Sequence, residues 1–401
     1  MRWSDLLEDA EAPSAAASLP ALEMRPEPHQ APHRARTSSR RPAAKRDFAR
    51  SVIERMSDGQ VRRLLCKARW PDGIPRCPRC EGAKTYAITT RALFKCARCS
   101  HQFSVTSGTP WHGTKLSLKQ LLTALQEFAA SKAGVTTEHL AGKVGIDPKT
   151  ALVFCQKVRE CTARSQSTVL LREAVEIDAT FFVPSVRRPN LGRSAPRLFR
   201  DKSKTRCVLT LSQRGGPTVA MVVSGETKSS VRTAVRQHVG GGTQIYTDGH
   251  NAYTFLRAYF PVDQASHAEC YAAGYRHVNN CESFHARLKR SVKWIYRRVA
   301  TGRDFDLYVA EMAFRHSFSR LSDREQALLL LGTVLRSPRS ERFTGYWQRR
   351  RPPPPVAWWN DLGWRMRTKR VHMGHRIDVP YSAWLSNFSS VRQRAPYPSA
   401  R

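Results

Sequence analysis

The chain has 401 residues, of which 67 are lysine or arginine and 32 are aspartate or glutamate, a net charge of +35. This length is sufficient for two or three domains with sizeable cores. A balance this basic predicts a polyanionic partner, usually nucleic acid, and a ribosome-like or membrane-surface protein is the alternative. No apolar run approaches the roughly 20 residues that cross a bilayer, and residues 1–24 have no signal-peptide core. We therefore expect a cytosolic protein without a membrane partner.

The N-terminal segment, residues 1–45, is rich in Ala, Pro, Ser and Arg and has no hydrophobic periodicity. This composition predicts a disordered basic arm, because such a segment has too little apolar surface to pack. Its arginines could contact phosphates, or the arm could be a solvated tail without a role.

Residues 46–110 are predicted to form a helical lead-in and a zinc ribbon. Two Cys-x2-Cys pairs, Cys77 with Cys80 and Cys96 with Cys99, suit the tetrahedral thiolate site that Zn²⁺ prefers, and a redox pair is the alternative. The segment between them alternates as a hairpin does. So small a unit has little core, so we expect the metal to fold it. The remaining cysteines are predicted to be reduced thiols: Cys66, Cys155, Cys161, Cys207, Cys270 and Cys281.

Residues 111–165 are predicted to form a helical region. The apolar spacing predicts helices at 117–131, 136–144 and 147–161. The last two, separated by the turn 145–148, have the outline of a helix-turn-helix DNA-binding unit, and a plain helical bundle is the alternative. In the DNA-binding interpretation the second helix presents four residues to a major groove: Lys149, Thr150, Lys157 and Arg159.

Residues 170–335 alternate between strand and helix patterns. Strands are predicted at 173–183, 206–212, 218–224, 243–247 and 262–267, and helices at 230–239, 251–259 and 280–297. This order is that of a ribonuclease-H-like, or retroviral-integrase-like, α/β domain. Two further helical patterns follow, one from Phe305 to Phe314 and one at 327–335.

Three acidic residues stand out in this region. Asp178 and Asp248 lie in or at the end of predicted strands, and Glu282 lies at the start of a predicted helix. Together they could bind two Mg²⁺ ions, which prefer hard oxygen ligands. Taken singly, Asp248 before Gly249 is also typical of a turn, and Glu282 could simply complement the helix dipole.

Two segments are more basic than the rest. Residues 187–206 contain eight basic residues and one acid, which predicts a mobile loop that contacts phosphates. Residues 336–401 form a basic tail rich in Pro and Trp, to which we assign no fold. The tail is either an auxiliary nucleic-acid-binding segment or an addition without function.

Several motifs in order give the chain a resemblance to a known family. They run through Arg69–Gly73, the two cysteine pairs, Gln102–Thr109, Val175–Thr180, Tyr246–Gly249 and His277–Arg290. The chain resembles a bacterial insertion-sequence DDE transposase that has a zinc ribbon before an integrase-like catalytic domain. The resemblance covers roughly residues 48–335. One departure is Ser317, where the family usually has asparagine.

The resemblance implies a catalytic triad of Asp178, Asp248 and Glu282 with two Mg²⁺ or Mn²⁺ ions. It implies that Lys289 is the family's basic residue seven positions after the glutamate, and Lys293 shares that helix face. Arg290, beside them, is a further candidate for DNA contact. The implied activity is metal-dependent cleavage and strand transfer of double-stranded DNA at terminal inverted repeats, by a homo-oligomer. The alternatives are an inactive or domesticated DNA-binding protein and a nuclease on the same scaffold.

Overall fold

The computed structural model describes most of the chain from the helical lead-in to the start of the tail. The described residues are 52–183, 185–187, 198–200, 205–265, 277–296, 299, 302 and 304–345. The predicted arm, most of the basic loop at 187–206, Cys270 and the tail beyond residue 345 lie outside them. None of the described helices has both the length and the apolar character needed to cross a membrane.

The N-terminal part combines a small sheet with several helices. Its elements are α1 (Asp58–Arg69), β1 (Thr85–Ile88), β2 (Leu93–Cys96), β3 (Gln102–Phe103), α2 (Leu118–Ala130), α3 (Thr137–Val144) and α4 (Pro148–Gln166). The strands pair antiparallel in the order β1-β2-β3. Between α3 and α4, Gly145 adopts a left-handed φ of 70° and the Asp147 carboxylate accepts a hydrogen bond from the Lys149 amide. Helix α4 continues five residues beyond its predicted end at Cys161, to Gln166.

The central part contains a five-stranded mixed sheet. Its strands are β4 (Ala174–Phe182), β7 (Arg206–Gln213), β8 (Thr218–Val223), β9 (Gln244–Asp248) and β10 (Val262–Ala265). The order is β10-β9-β4-β7-β8, and β7 is antiparallel to both of its neighbours whereas β9 and β10 run parallel to β4. A separate two-stranded hairpin, β5 (Ser185–Arg187) with β6 (Leu198–Arg200), lies between β4 and β7 in sequence. All five predicted strands are therefore present, in a mixed α/β fold.

Helices cover both faces of this sheet. On one face the apolar side chains of β4 pack with α5 (Lys228–His238) and with residues 251–258. The helix predicted here is a 3-10 helix. On the other face lie α6 (Asn279–Trp294) and α7 (Phe305–Ser317). The Ser317 hydroxyl accepts a hydrogen bond from the Thr218 amide at 2.9 Å, which joins the end of α7 to β8.

The last described helix, α8 (Asp323–Arg336), packs with the N-terminal part. Leu330, Leu331 and Val334 of α8 share a core with Leu65 of α1 and Leu125 of α2. The same core includes the ribbon residues Cys77, Cys96 and Phe103. The ribbon therefore shares apolar packing with the helices around it.

A buried ionic network joins α4 to α7. The Arg159 guanidinium lies 2.6 Å from the Glu311 carboxylate, and both residues are at most 1% exposed. Glu311 also accepts hydrogen bonds from Arg315 and from the Tyr296 hydroxyl, each at 2.7 Å. Burial alone would raise the pKa of Glu311, but the two guanidinium groups hold it below its usual value. The prediction that Arg159 reads a DNA groove is wrong, because its charge is neutralised in the interior.

Candidate functional site

The four cysteines predicted to bind zinc come together at one end of the ribbon. The Sγ atoms all lie within 4.8 Å of one another, with 3.6 Å between Cys77 and Cys99 and 3.5 Å between Cys80 and Cys96. A tetrahedral ion with Zn–S bonds of about 2.3 Å would separate sulfurs by about 3.8 Å. The geometry and the soft donor set therefore fit a structural Zn²⁺ ion.

Two similar turns shape this site. The Glu81 amide donates to the Cys77 carbonyl, and the Ser100 amide donates to the Cys96 carbonyl. Glu81 and Ser100, each directly after a second cysteine, adopt left-handed φ values of 59° and 55°. The Cys99 amide lowers the pKa of Cys96 to about 7, which favours the thiolate form that binds zinc.

Asp178 lies in the middle of β4, in the centre of the sheet. Side chains alternate along a strand, so Asp178 shares its face with Glu176 and Thr180, the face that α6 covers. Its Oδ2 atom lies 3.4 Å from Nδ1 of His285, and Nε2 of His285 lies 2.9 Å from the Thr210 hydroxyl. Asp178 is therefore held between the sheet and α6 and keeps partial solvent access.

Asp248 ends the neighbouring parallel strand β9. Ile177 pairs with Thr247, so continuation of the same register brings Asp178 beside Asp248 on one face. The Asp248 carboxylate accepts a hydrogen bond of 3.1 Å from the His250 amide, in the turn predicted for Asp-Gly. The turn and a site role are compatible, because a carboxylate has about four lone-pair positions and the His250 amide uses one of them.

Glu282 lies in the first turn of α6 with its side chain exposed. His285, which contacts Asp178, lies one helical turn later, so Glu282 is on the helix that faces the two aspartates. Lys289, Arg290 and Lys293 follow along the exposed surface of α6. The three acids are thus on neighbouring elements, but their oxygens are not packed as closely as the cysteine sulfurs, which form the one cluster of that tightness among the described residues.

Comparison with known families bears on both sites. A family described as the transposase zinc-ribbon domain matches residues 56–102, and a family described as the ISXO2-like transposase domain matches residues 170–317. These two segments of the chain therefore match the zinc ribbon and the transposase domain of insertion-sequence DDE transposases. No curated protein matches the chain significantly.

Each of the two candidate sites falls within a different family match. The four cysteines fall in the zinc-ribbon match, and the three acids fall in the transposase match. Helices α2, α3, α4 and α8 lie entirely outside both matches. The transposase domain is therefore joined in space to helices that neither family match covers.

Three residues of the transposase domain near the acids were not singled out from the sequence. His285 contacts Asp178, and its position three residues after Glu282 on a helix is the signal that could have identified it. Glu226 accepts a hydrogen bond of 2.6 Å from the Tyr253 hydroxyl. Burial first, then Glu226, raise the pKa of Tyr253, and Asp248 and Asp178 add to the shift. No local sequence pattern joins Glu226 to the acids, because at least one helix or strand lies between it and each of them in the chain.

Proposed function

We propose that this transposase cleaves and joins DNA at a metal site formed by Asp178, Asp248 and Glu282. The observation that carries the proposal is the placement of the two aspartates at adjacent register positions on parallel strands, under the helix that carries Glu282. Strand order supports a ribonuclease-H-like fold, since the parallel strands β10, β9 and β4 are extended by an antiparallel β7 and then β8.

The three carboxylates fit Mg²⁺ or Mn²⁺ by their chemistry, because carboxylate oxygens are the hard ligands these ions prefer. A pair of such ions would activate the attacking oxygen and stabilise the leaving oxygen. The chain itself orients the ligands. His285 contacts an oxygen of Asp178, and the Asp-Gly turn holds that of Asp248. Glu282, exposed on α6, faces the DNA side.

Double-stranded DNA is the proposed substrate. Lys289 lies seven residues after Glu282, close to two helical turns, and is exposed like Arg290 and Lys293. These charges would bind phosphates beside the acids, and the net charge of +35 would add sequence-independent affinity. The ribbon and the helices at 111–165, with Lys149 and Thr150 exposed, would bind the element's terminal inverted repeats.

Further parts of the proposal rest on the family. We infer that the protein acts in the cytoplasm as a homo-oligomer on paired element ends. The domain limits we propose are those predicted from the sequence: 46–110 for the ribbon unit, 111–165 for the helical region and 170–335 for the catalytic domain. The arm at 1–45 and the tail at 336–401 flank these three units in the sequence.

A donor-plasmid transposition assay with the native flanking DNA tests the function. We expect wild type to give joined product and Asp248→Asn to give none, although the variant still binds the element ends. Equal product from both proteins would contradict the metal-site assignment. Cleavage without joining in the wild type would instead indicate a nuclease, and end binding without cleavage would indicate a DNA-binding protein.

A further inference from the structure

Glu176, two residues before Asp178 on β4, is a buried carboxylate with four donors and a histidine ring nitrogen around it. The residue is 0% exposed. It accepts hydrogen bonds from Arg214 Nε at 2.9 Å and from the Asn280 amide at 2.7 Å. The Asn280 side chain at 3.2 Å, the Cys281 amide at 3.4 Å and Nδ1 of His277 at 3.4 Å complete the shell. A buried charge is tolerated only with such partners, so β4 and α6 are bound to each other here.

This contact supplies the missing cap of α6. The first amides of a helix have no partner within the helix, and a side chain at the N-cap usually accepts from them. The N-cap residue of α6 is Val278, which has no acceptor in its side chain. Glu176 accepts from the Asn280 and Cys281 amides instead, and its negative charge lies at the positive end of the helix dipole.

Arg214 extends the contact to β9. Its Nη2 atom donates to the His277 carbonyl at 2.7 Å, just before α6 begins. The same guanidinium lies 3.7 Å from the centre of the Tyr246 ring. Glu176, Tyr246 and Asn280 each lie two residues before one of the three acids, Asp178, Asp248 and Glu282 respectively. One network therefore touches each of the three elements at the same offset from its acid.

We propose that Glu176 is a positioning residue, which fixes the first turn of α6 against β4 and so sets Glu282 relative to Asp178 and Asp248. This inference rests on the proposed function. Glu176 does not itself contact metal or DNA, because its oxygens are occupied by the network and shielded from solvent. Loss of its charge would let the start of α6 move without removing any metal ligand.

The test compares Glu176→Gln with Glu311→Gln in the full-length, zinc-loaded protein. Glu311 is the matched control, since it is also a buried carboxylate bound by guanidinium groups but lies in the network between α4 and α7. Two readouts are taken: hydrogen exchange of the peptide 277–288, and Mn²⁺ binding measured by electron paramagnetic resonance. The Mn²⁺ binding that is lost in Asp178→Asn is counted as binding at the site of the three carboxylates.

In Glu176→Gln we expect the first-turn amides of α6 to exchange about fivefold faster, as for loss of a cap. We expect the Mn²⁺ dissociation constant to rise about 10-fold or more, as for outer partners of metal ligands. Glu311→Gln should leave both readouts at the wild-type value at 20 °C, a temperature chosen as roughly that of greatest stability. If Glu176→Gln does not fold, Glu176→Asp replaces it, because it keeps the charge but withdraws the carboxylate from α6.

Unchanged Mn²⁺ binding in a folded Glu176 variant would overturn the inference. An equal weakening in Glu311→Gln would also overturn it, because the effect would then come from general destabilisation. A wild-type protein that binds no Mn²⁺ at the Asp178-dependent site would instead refute the proposed function itself. The two failures are therefore separate outcomes of one experiment.

Discussion

The zinc ligands all come from one short stretch, Cys77–Cys99, whereas the three carboxylates come from two strands and a helix between Asp178 and Glu282. The sulfurs are already within 4.8 Å of one another, and two of them are buried. The carboxylates are partly or fully exposed and less closely packed. A closed set of ligands suits a structural ion, and an open set leaves room for a substrate. The comparison fits a first site that supports the fold and a second site that, in the proposed function, contacts DNA.

The largest effect is expected from loss of zinc. Cys77→Ser should lower the zinc content and unfold the ribbon, because a complete structural zinc site supplies about 10 kcal/mol or more of folding free energy. Because Cys77 and Cys96 lie in the core shared with α1, α2 and α8, the melting temperature of that part should fall as well. Zinc analysis and calorimetry measure both. Cys66→Ser, at a half-buried cysteine outside the site, is the control, and full zinc content in Cys77→Ser would contradict the assignment.

At the carboxylates we expect a loss of activity without a loss of stability. Asp178→Asn should reduce DNA cleavage by about 10³-fold, equivalent to about 4 kcal/mol, without changing zinc content or melting temperature. The control is Asp263→Asn on β10, whose carboxylate accepts from Gln244 at 3.3 Å. Cleavage assays on element-end DNA decide the point. If Asp178→Asn cleaved DNA as fast as the wild type, the carboxylates would not form a catalytic site distinct from the structural zinc site.

The ionic network that joins the N-terminal helices to the central sheet can be tested by itself. Glu311→Gln leaves the Arg159 charge buried without its partner, which should destabilise the protein by about 3–5 kcal/mol. Since the pair joins α4 to α7, thermal unfolding should separate into one transition for the ribbon and helices and another for the sheet. Differential scanning calorimetry reports this. A single unshifted transition would show that the network does not couple the regions.

The smallest effect is expected on DNA affinity. Lys289→Ala should weaken DNA binding by roughly 1 kcal/mol or less and reduce the salt slope of log K by about one unit, as for one lost phosphate contact. Lys228→Ala, an exposed lysine of α5 on the other side of the sheet, is the control. Titrations at several salt concentrations measure both. Identical slopes for the two variants would place the DNA away from α6.

Local sequence patterns predicted much of the structure. The cysteine spacing and the alternation of the five strands predicted the converged sulfurs and the mixed sheet, because ligands in a turn and side chains in a strand depend on near neighbours. The apolar spacing likewise predicted the helices observed as α2 and α4.

What the sequence could not provide depends on contacts between distant residues. Arg159 has the spacing of a groove-reading side chain, yet Glu311, 152 residues away, draws it into the core. Glu176 is likewise distant in sequence from the α6 amides that it caps, since Asn280 lies 104 residues after it. His285 could have been found from helical spacing alone. Partners that are distant in sequence therefore explain why the prediction for Arg159 was wrong and why the role of Glu176 was not predicted.

The most direct test of the central claim is iron-directed cleavage of the protein backbone. Fe²⁺ replaces Mg²⁺ in the zinc-loaded protein, and peroxide with ascorbate then generates hydroxyl radicals that cut the chain next to the bound ion. The account predicts cuts near Asp178, Asp248 and Glu282, and their joint loss in Asp178→Asn. Cuts elsewhere, or cuts that persist in that variant, would contradict a metal site shared by the three carboxylates.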